Sequence, residues 1–300
     1  MTYLAFDNKK EIQQFVIDQL QNIAVSDYWL ERPVYWDGIK GSVVGLLLQS
    51  DDLSQWEKKT GLPMWVALLL DTITVHAFDR QEAMQEVISL MEELPVGTDI
   101  SRLGCQSLVL LLRRNINDFK KAETVSMRDD LSELLEGIAS LHEKVSRGNT
   151  VSAKEWRQAR EKIINLTEGE DKNSLSGRIG TCVEAAGWDP LQSRTAVSDT
   201  LRTWIDARVA LAKSTYSWSK ADDDTVRALM NKIHQDALSA AEDNNARINV
   251  FGLLEQQYPE WSERMKAMVR YEREQAHAAW KLAMKLLHEA VISLPEASRG

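Results

Sequence analysis

From Glu260 to Leu294 the chain contains neither Gly nor Pro. Within that stretch Met265, Met268, Val269, Ala276, Trp280, Met284, Leu287 and Val291 recur every three to four positions. This is the period of one face of an α-helix, and a helix of that extent runs to about 50 Å at ~1.5 Å per residue. A stripe this long cannot be buried by the helix that carries it. It demands partner helices of comparable reach, which restricts the rest of the chain to shapes that supply them.

The remaining residues meet that demand. With 14 Gly and 6 Pro in 300 residues, long uninterrupted segments dominate. No segment alternates apolar and polar residues with the β-branched enrichment of strands. The expected fold is all-α, with a compact N-terminal helical domain over 1–166, a linker over 167–177 and a bundle of long antiparallel helices over 178–300. The linker assignment rests on Thr167 to Gly177, which is polar, holds two glycines and lacks apolar periodicity.

Local signals mark the helix ends. Asn8 with Glu11 and Ser152 with Glu155 have capping-box spacing. Ser50 stands ahead of a short helix bearing Leu53 and Trp56, and Gly61 ends it. Pro63 opens a helix from Met64 to about Phe78 that is apolar nearly all round, as a central helix must be. Asp79 opens the next, which Pro95 and Gly97 stop, and Asp99 and Ser126 cap two more. The spacing further predicts a long helix from Pro190 to Trp218 and a break at Asn244–Asn245.

Charge and cysteine content narrow the function classes. The formal charge is −9, and Lys and Arg are interspersed with acids, so no continuous cationic groove for nucleic acid is expected. Cys105 and Cys182 form no paired motif, which suits a reducing compartment. No apolar run approaches the ~20 residues of a membrane span, and the first residues lack the apolar core of a secretory signal. These readings point to a cytoplasmic protein with no membrane partner.

The sequence holds no complete catalytic or metal-binding constellation. Glu274 and His277 have the spacing of a carboxylate-bridged metal helix, but the other histidines have no matching Glu. Asp129, Asp130 and Glu133 have the spacing of a magnesium-binding motif, yet no second motif faces them, and the helix dipole accounts for acids there. Cys105 lies in an apolar helix and reads as a buried thiol. No catalytic residue, metal ligand or cofactor is therefore expected.

Binding candidates are more numerous. Gly41 and Gly45 punctuate a buried-looking apolar run, which marks close backbone approach. Trp29, Trp36, Trp56 and Trp188 lie near loops, where tryptophan anchors interfaces. His76 ends the apolar helix. Asp222, Asp223 and Asp224 open another helix. The long C-terminal helix offers a surface for self-association.

Residues Trp36 to Ile73, together with Leu94 to Ser101, resemble a family of uncharacterised bacterial and phage-borne proteins. That family carries a Gly-rich WxxGKGxxxG-type segment, a GIPxWLAxLxDxI-type helix and an IPVGADLS-type turn. Its second half is alanine-rich and helical, echoed by Ala207, Ala210, Ala212, Ala237, Ala240, Ala241, Ala276, Ala278 and Ala279. Relatives often have Cys in the Gly-rich segment and a nearby His, where this chain has Ser42, Leu46 and Gln49. The resemblance implies no reaction. With the missing active site and the acidic surface, it leads to the expectation of a non-catalytic protein that binds another protein complex, such as a host defence complex. The alternative is a helical enzyme or small-ligand binder with a pocket around Trp36, Gly41, Gly45 and His76.

Overall fold

The computed structural model describes residues 2–121, 129–240 and 248–294. The protein is all-α. The helices are α1 (Lys10–Ala24), α2 (Val43–Leu48), α3 (Trp56–Thr60), α4 (Met64–His76), α5 (Arg80–Glu93), α6 (Leu103–Lys121) and α7 (Asp129–Ser146). They continue as α8 (Ala153–Thr167), α9 (Leu175–Ala186), α10 (Ala196–Ser214), α11 (Lys220–Ala240), α12 (Val250–Gln257) and α13 (Pro259–Ile292). Among the described residues, β-pairing is confined to isolated bridges between Leu4 and Asp99, Trp29 and Gly41, and Trp36 and Gly41. No described helix is long and apolar enough to cross a membrane.

Helix α13 organises the packing. It lies against α5, α6, α10 and α12. Ala279, Trp280, Ala283, Met284, Leu287 and Val291 are buried there, and the Trp280 indole N–H donates to the Ile73 carbonyl of α4 at 3.0 Å. A second indole, Trp204 of α10, donates to the Leu111 carbonyl of α6 at 2.7 Å. Each bond satisfies a buried donor while the ring fills the space between two helices.

One buried apolar cluster includes Leu20, Leu70, Val87 and Leu111 together with Val183, Leu201, Trp204, Trp280 and Leu287. The core is thus continuous across the expected 166/178 boundary. Residues 167–177 are not an extended connection either. Thr167 closes α8, Ser174 caps α9 by accepting from Gly177 N–H, and the turn folds back so closely that a Cβ on Gly177 would stand 2.2 Å from the Asp171 carbonyl oxygen.

Several end signals act as expected. Ser152 and Glu155 form the reciprocal capping box of α8, Asp79 caps α5, and Gly61 ends α3 at φ 64°. Others are displaced. Asn8 does not cap α1; it belongs to a left-handed turn in which Phe6, Asp7 and Asn8 have φ of 56°, 51° and 56°. That turn is held because Phe6 is buried and because Ala5 N–H donates to the Thr98 carbonyl while Gly97 N–H donates to the Ala5 carbonyl. Asp52, not Ser50, caps the turn ahead of α3. Helix α10 begins at Ala196 rather than Pro190, since Asp189 diverts the next residues into a turn. The expected cap Ser126 and the break at Asn244–Asn245 lie outside the described residues.

The seam between α5 and α13 is ionic. His288 pairs through Nε2 with Glu86 at 2.8 Å and through Nδ1 with Glu93 at 2.6 Å, and His277 pairs with Glu82 at 2.9 Å. Burial works against charge on His288, but the hydrogen bonds to Glu93 and Glu86 outweigh it and hold its pKa above the ordinary imidazole value. A raised folded pKa contributes stability that is complete below the unfolded value of about 6.5 and is lost as pH climbs through the folded value. His288→Gln is therefore expected to lower the urea midpoint more at pH 6 than at pH 9.5.

Two glycines make a paired prediction. A Cβ on Gly45 would stand 1.9 Å from the Tyr35 carbonyl oxygen, whereas one on Gly137 of α7 would meet nothing within 4 Å. Gly45→Ala is expected to destabilise by about 1–3 kcal/mol or more through forced backbone displacement. Gly137→Ala is expected to stabilise by about 0.5–1 kcal/mol by restricting the unfolded chain. Equilibrium unfolding of both variants checks the contrast.

Candidate functional site: loop 187–195 and its two cavities

The Gly-rich segment that stands out in the sequence is a buried latch. The Tyr35 carbonyl passes directly over Gly41 and Gly45, and the Trp36 ring lies against Gly41. Ser42 caps α2, its Oγ accepting from Gly45 N–H at 3.0 Å and from Tyr35 N–H at 3.2 Å. Beneath it the fully buried Asp71 of α4 accepts from Val44 N–H at 2.9 Å and Val34 N–H at 2.6 Å. Burial pushes the Asp71 carboxyl up to about 6, against the bonds from Val44, Val34 and Ser42 that favour its charge.

The latch holds Val34, a β-branched residue, at φ 41°. That conformation is strained, and the bond to Asp71 keeps it in place. In this arrangement Asp71 secures two backbone donors that would otherwise be orphaned. Asp71→Asn leaves one of them facing an amide NH2, so a loss of about 1–3 kcal/mol at pH 7.5 is expected in urea unfolding.

Of the other candidates, Trp29 and Trp36 join Gly41 in the latch, each through a β-bridge to it. Trp29 and Trp56 are buried, and Arg80 caps Trp29, stacking 4.3 Å from its ring and donating to its carbonyl at 2.6 Å. Trp36 is half-buried. His76 is also half-buried; burial lowers its pKa, and the charges acting on it are Asp206 and Arg202 of α10 rather than the Gly-rich segment. Asp222 is committed to Arg264 at 2.8 Å and to the Ser219 N–H and hydroxyl, and Asp223 accepts from the Trp218 indole at 2.7 Å. Asp224 is exposed. The structure thus gathers Trp29, Trp36, Gly41 and Gly45 in one packed latch, while Asp222 and Asp223 are engaged separately with Ser219, Arg264 and Trp218.

Trp188 is the exception. It lies in the α9–α10 loop, residues 187–195, and is 43% exposed, with Leu191 beside it 37% exposed. The loop is rigidly built. Asp189 Oδ1 accepts from Leu191 N–H at 2.9 Å, and its carbonyl accepts from the N–H groups of Gln192 and Ser193. Pro190 sits on the start of α6, where a Cβ on Gly104 would come within 2.8 Å of the proline ring. Arg160 of α8 ties down the other side: its Nη1 donates to the Gly187 carbonyl at 2.7 Å and its guanidinium lies 3.4 Å from the centre of the Trp188 ring.

A cavity opens on each flank of this loop. One, of about 330 Å³, is lined by Val151, Ala153, Trp156, Arg160, Trp188, Asp189 and Gln192. The other, of about 500 Å³, runs between Tyr3, Glu57, Met64 and Trp65 on one side and residues 190–195 on the other. Each is lined by a tryptophan, Trp156 or Trp65, that is buried and whose indole N–H has no hydrogen-bond partner. Trp29 and Trp56 share that property but line neither cavity.

Beneath the loop lies a pair that sequence reading leaves unpaired. His142 Nδ1 is 3.4 Å from Cys105 Sγ, and His142 Nε2 is 2.7 Å from the Ala186 carbonyl oxygen. The carbonyl can only accept, so Nε2 carries the proton and Nδ1 accepts from the thiol. Trp156 packs against the imidazole with ring centres 4.7 Å apart. Burial lowers His142 to about 4, and burial, aided by the Asp189 charge, pushes the Cys105 thiol far up. The pair is thus a neutral thiol on a neutral imidazole, without the thiolate that nucleophilic attack requires. The signal for His142 was present in its spacing from Leu131, Leu135 and Ile138 on one face of α7. Its contact with Cys105 depends on how α6 and α7 pack.

Among the described residues no group of three or more His, Cys, Asp or Glu side chains is placed to hold a metal ion. His277, expected to pair with Glu274 if a metal helix were present, instead bonds Glu82 of α5. No protein-family model, curated protein or solved structure matches this chain.

Proposed function

We propose that this chain acts by binding another protein, through the surface built around loop 187–195. The observation that carries the reading is the conjunction at that loop: an exposed Trp188 and Leu191 stand between two cavities, with Arg160 against the Trp188 ring. Tryptophan beside arginine is also the composition of interface hot spots.

The remaining polar and titratable groups of the protein support binding over catalysis. Asp71 is spent as a double backbone cap, Cys105 and His142 are locked neutral, and Asp222 and Asp223 are consumed in contacts with Ser219, Arg264 and Trp218. The space around Gly41 and Gly45, the alternative pocket, is taken by the Tyr35 carbonyl and the Trp36 ring. The resemblance of Trp36 to Ile73 and of Leu94 to Ser101 to uncharacterised bacterial and phage-borne proteins is what supports a host defence complex as the partner class.

Affinity capture from bacterial host lysate tests this. The wild-type protein is expected to retain a stoichiometric protein partner. The double variant Trp188→Ala/Leu191→Ala, which alters two exposed side chains, is expected to lose it by about 30-fold, the loss typical of removing one hot-spot tryptophan. Recovery of no partner, or equal recovery by the variant, would overturn the proposal.

A further inference from the structure

Helix α8 serves two surfaces. Trp156 and Arg160 line the cavity beside Trp188, whereas Ala159, Lys162 and Leu166 line a groove shared with α7. That groove has a volume of about 510 Å³, and no residue of loop 187–195 lines it.

Its floor is apolar. Leu134, Ile138 and Leu141 of α7 and Ala159 and Leu166 of α8 recur at three, four or seven positions, which sets one helix face on each side of the trough. Leu134, Leu141, Ala159 and Leu166 are only partly buried, so the fold leaves this seam incompletely covered. Gly137 lies between Leu134 and Leu141 in the same lining and is exposed, and a Cβ on it would meet nothing within 4 Å. Glycine weakens a helix interior, and here it leaves an open notch in the groove wall.

The rim is charged unevenly. Asp130 and Glu133 stand on the α7 side and Glu155 on the α8 side, against the single cation Lys162 among the lining residues. Glu155 is engaged by the Ser152 N–H and hydroxyl and lies 4.0 Å from Lys144. Asp130 and Glu133, both exposed, are thus the charges that the rim presents outward.

These features narrow the occupant. The floor side chains have no hydrogen-bonding group, so an extended peptide would find no partners there for its backbone. A helix satisfies its own backbone and lays one apolar face into such a trough. From Asp130 to Leu141 the groove runs about 17 Å at ~1.5 Å per residue, roughly three turns. Acids on the rim favour Lys and Arg on the flanks of that helix. A second copy of this chain is a poorer match, since it carries the same net charge of −9.

We infer that the α7–α8 groove docks a basic amphipathic helix of a partner protein, with a large apolar side chain seated over Gly137 and Lys or Arg beside Asp130 and Glu133. This surface stands independently of loop 187–195.

The test uses a fluorescein-labelled pool of capped 15-residue helical peptides. Leu, Ile, Phe and Met are mixed along one face, and Lys and Arg flank it. One control pool keeps the apolar face but has Glu on the flanks. Another has the basic composition scrambled so that no face is apolar. Anisotropy on the full-length protein is expected to show the basic amphipathic pool binding about tenfold or more tighter than either control. Gly137→Leu fills the notch and is expected to weaken that pool by about tenfold. Glu133→Lys is expected to weaken it by about threefold to tenfold. Asp224→Lys, which changes an exposed acid on α11, and Trp188→Ala/Leu191→Ala should bind it as the wild type does. Circular dichroism melts confirm that each variant is folded.

No binding, equal binding of either control pool, or unchanged affinity in folded Gly137→Leu would overturn the inference. So would a loss in Asp224→Lys as large as in Glu133→Lys, which would make the attraction one of general charge. A loss in Trp188→Ala/Leu191→Ala would place the peptide on the loop instead. Light scattering that shows a dimer dissolved by Gly137→Leu would assign the groove to a second copy and overturn it as well.

Discussion

The structure depends on burying one long apolar stripe. Helix α13 has 34 residues, and its stripe reaches from α12 across α10, α6 and α5. Each of those helices turns its own apolar face inward partly because α13 is there to cover it. The Trp280 indole, donating to Ile73 of α4, ties the end of the chain to the most apolar helix near its beginning. Hydrophobic burial is non-directional, so the stripe alone does not determine where α13 sits lengthwise. The Trp280 bond and the His277 and His288 pairs with α5 are directional and set that register.

Around this frame, polar groups that look chemically suggestive are mostly structural. Asp71 illustrates the economy of it: one carboxylate supports both the start of α2 and a strained Val34, so the Gly-rich segment can fold tightly under Tyr35. Gly41 and Gly45 belong to the same arrangement, since a side chain at either would collide with the Tyr35 carbonyl. Unpartnered buried indoles are spread over Trp29, Trp56, Trp65 and Trp156, and what sets loop 187–195 apart is the exposed Trp188 and Leu191 standing between two cavities.

The sequence was informative in proportion to how local each signal is. The capping box at Ser152, the stop at Gly61 and the all-round apolar α4 are decided within a few residues, and the structure follows them. Asn8 misled because its turn is held by contacts with residues 61 and 97–98. Pro190 misled because Asp189 can satisfy three downstream amides in a turn as readily as the helix could. Trp188 was recognisable as a loop tryptophan, but its equivalence to Trp29 and Trp56 was not separable, since exposure depends on what packs above it.

By itself the sequence determined the fold class, the helical periods, some of the helix ends and the absence of a membrane-length apolar helix among the described residues, because spacing and composition act over one or two turns. Only the tertiary structure decided that the two halves share one core, that Cys105 meets His142, that Asp222 and Asp223 are consumed, and that two cavities flank one loop. Those outcomes join residues tens to hundreds of positions apart. They follow from which helix faces bury each other, and no local pattern of side chains encodes that choice.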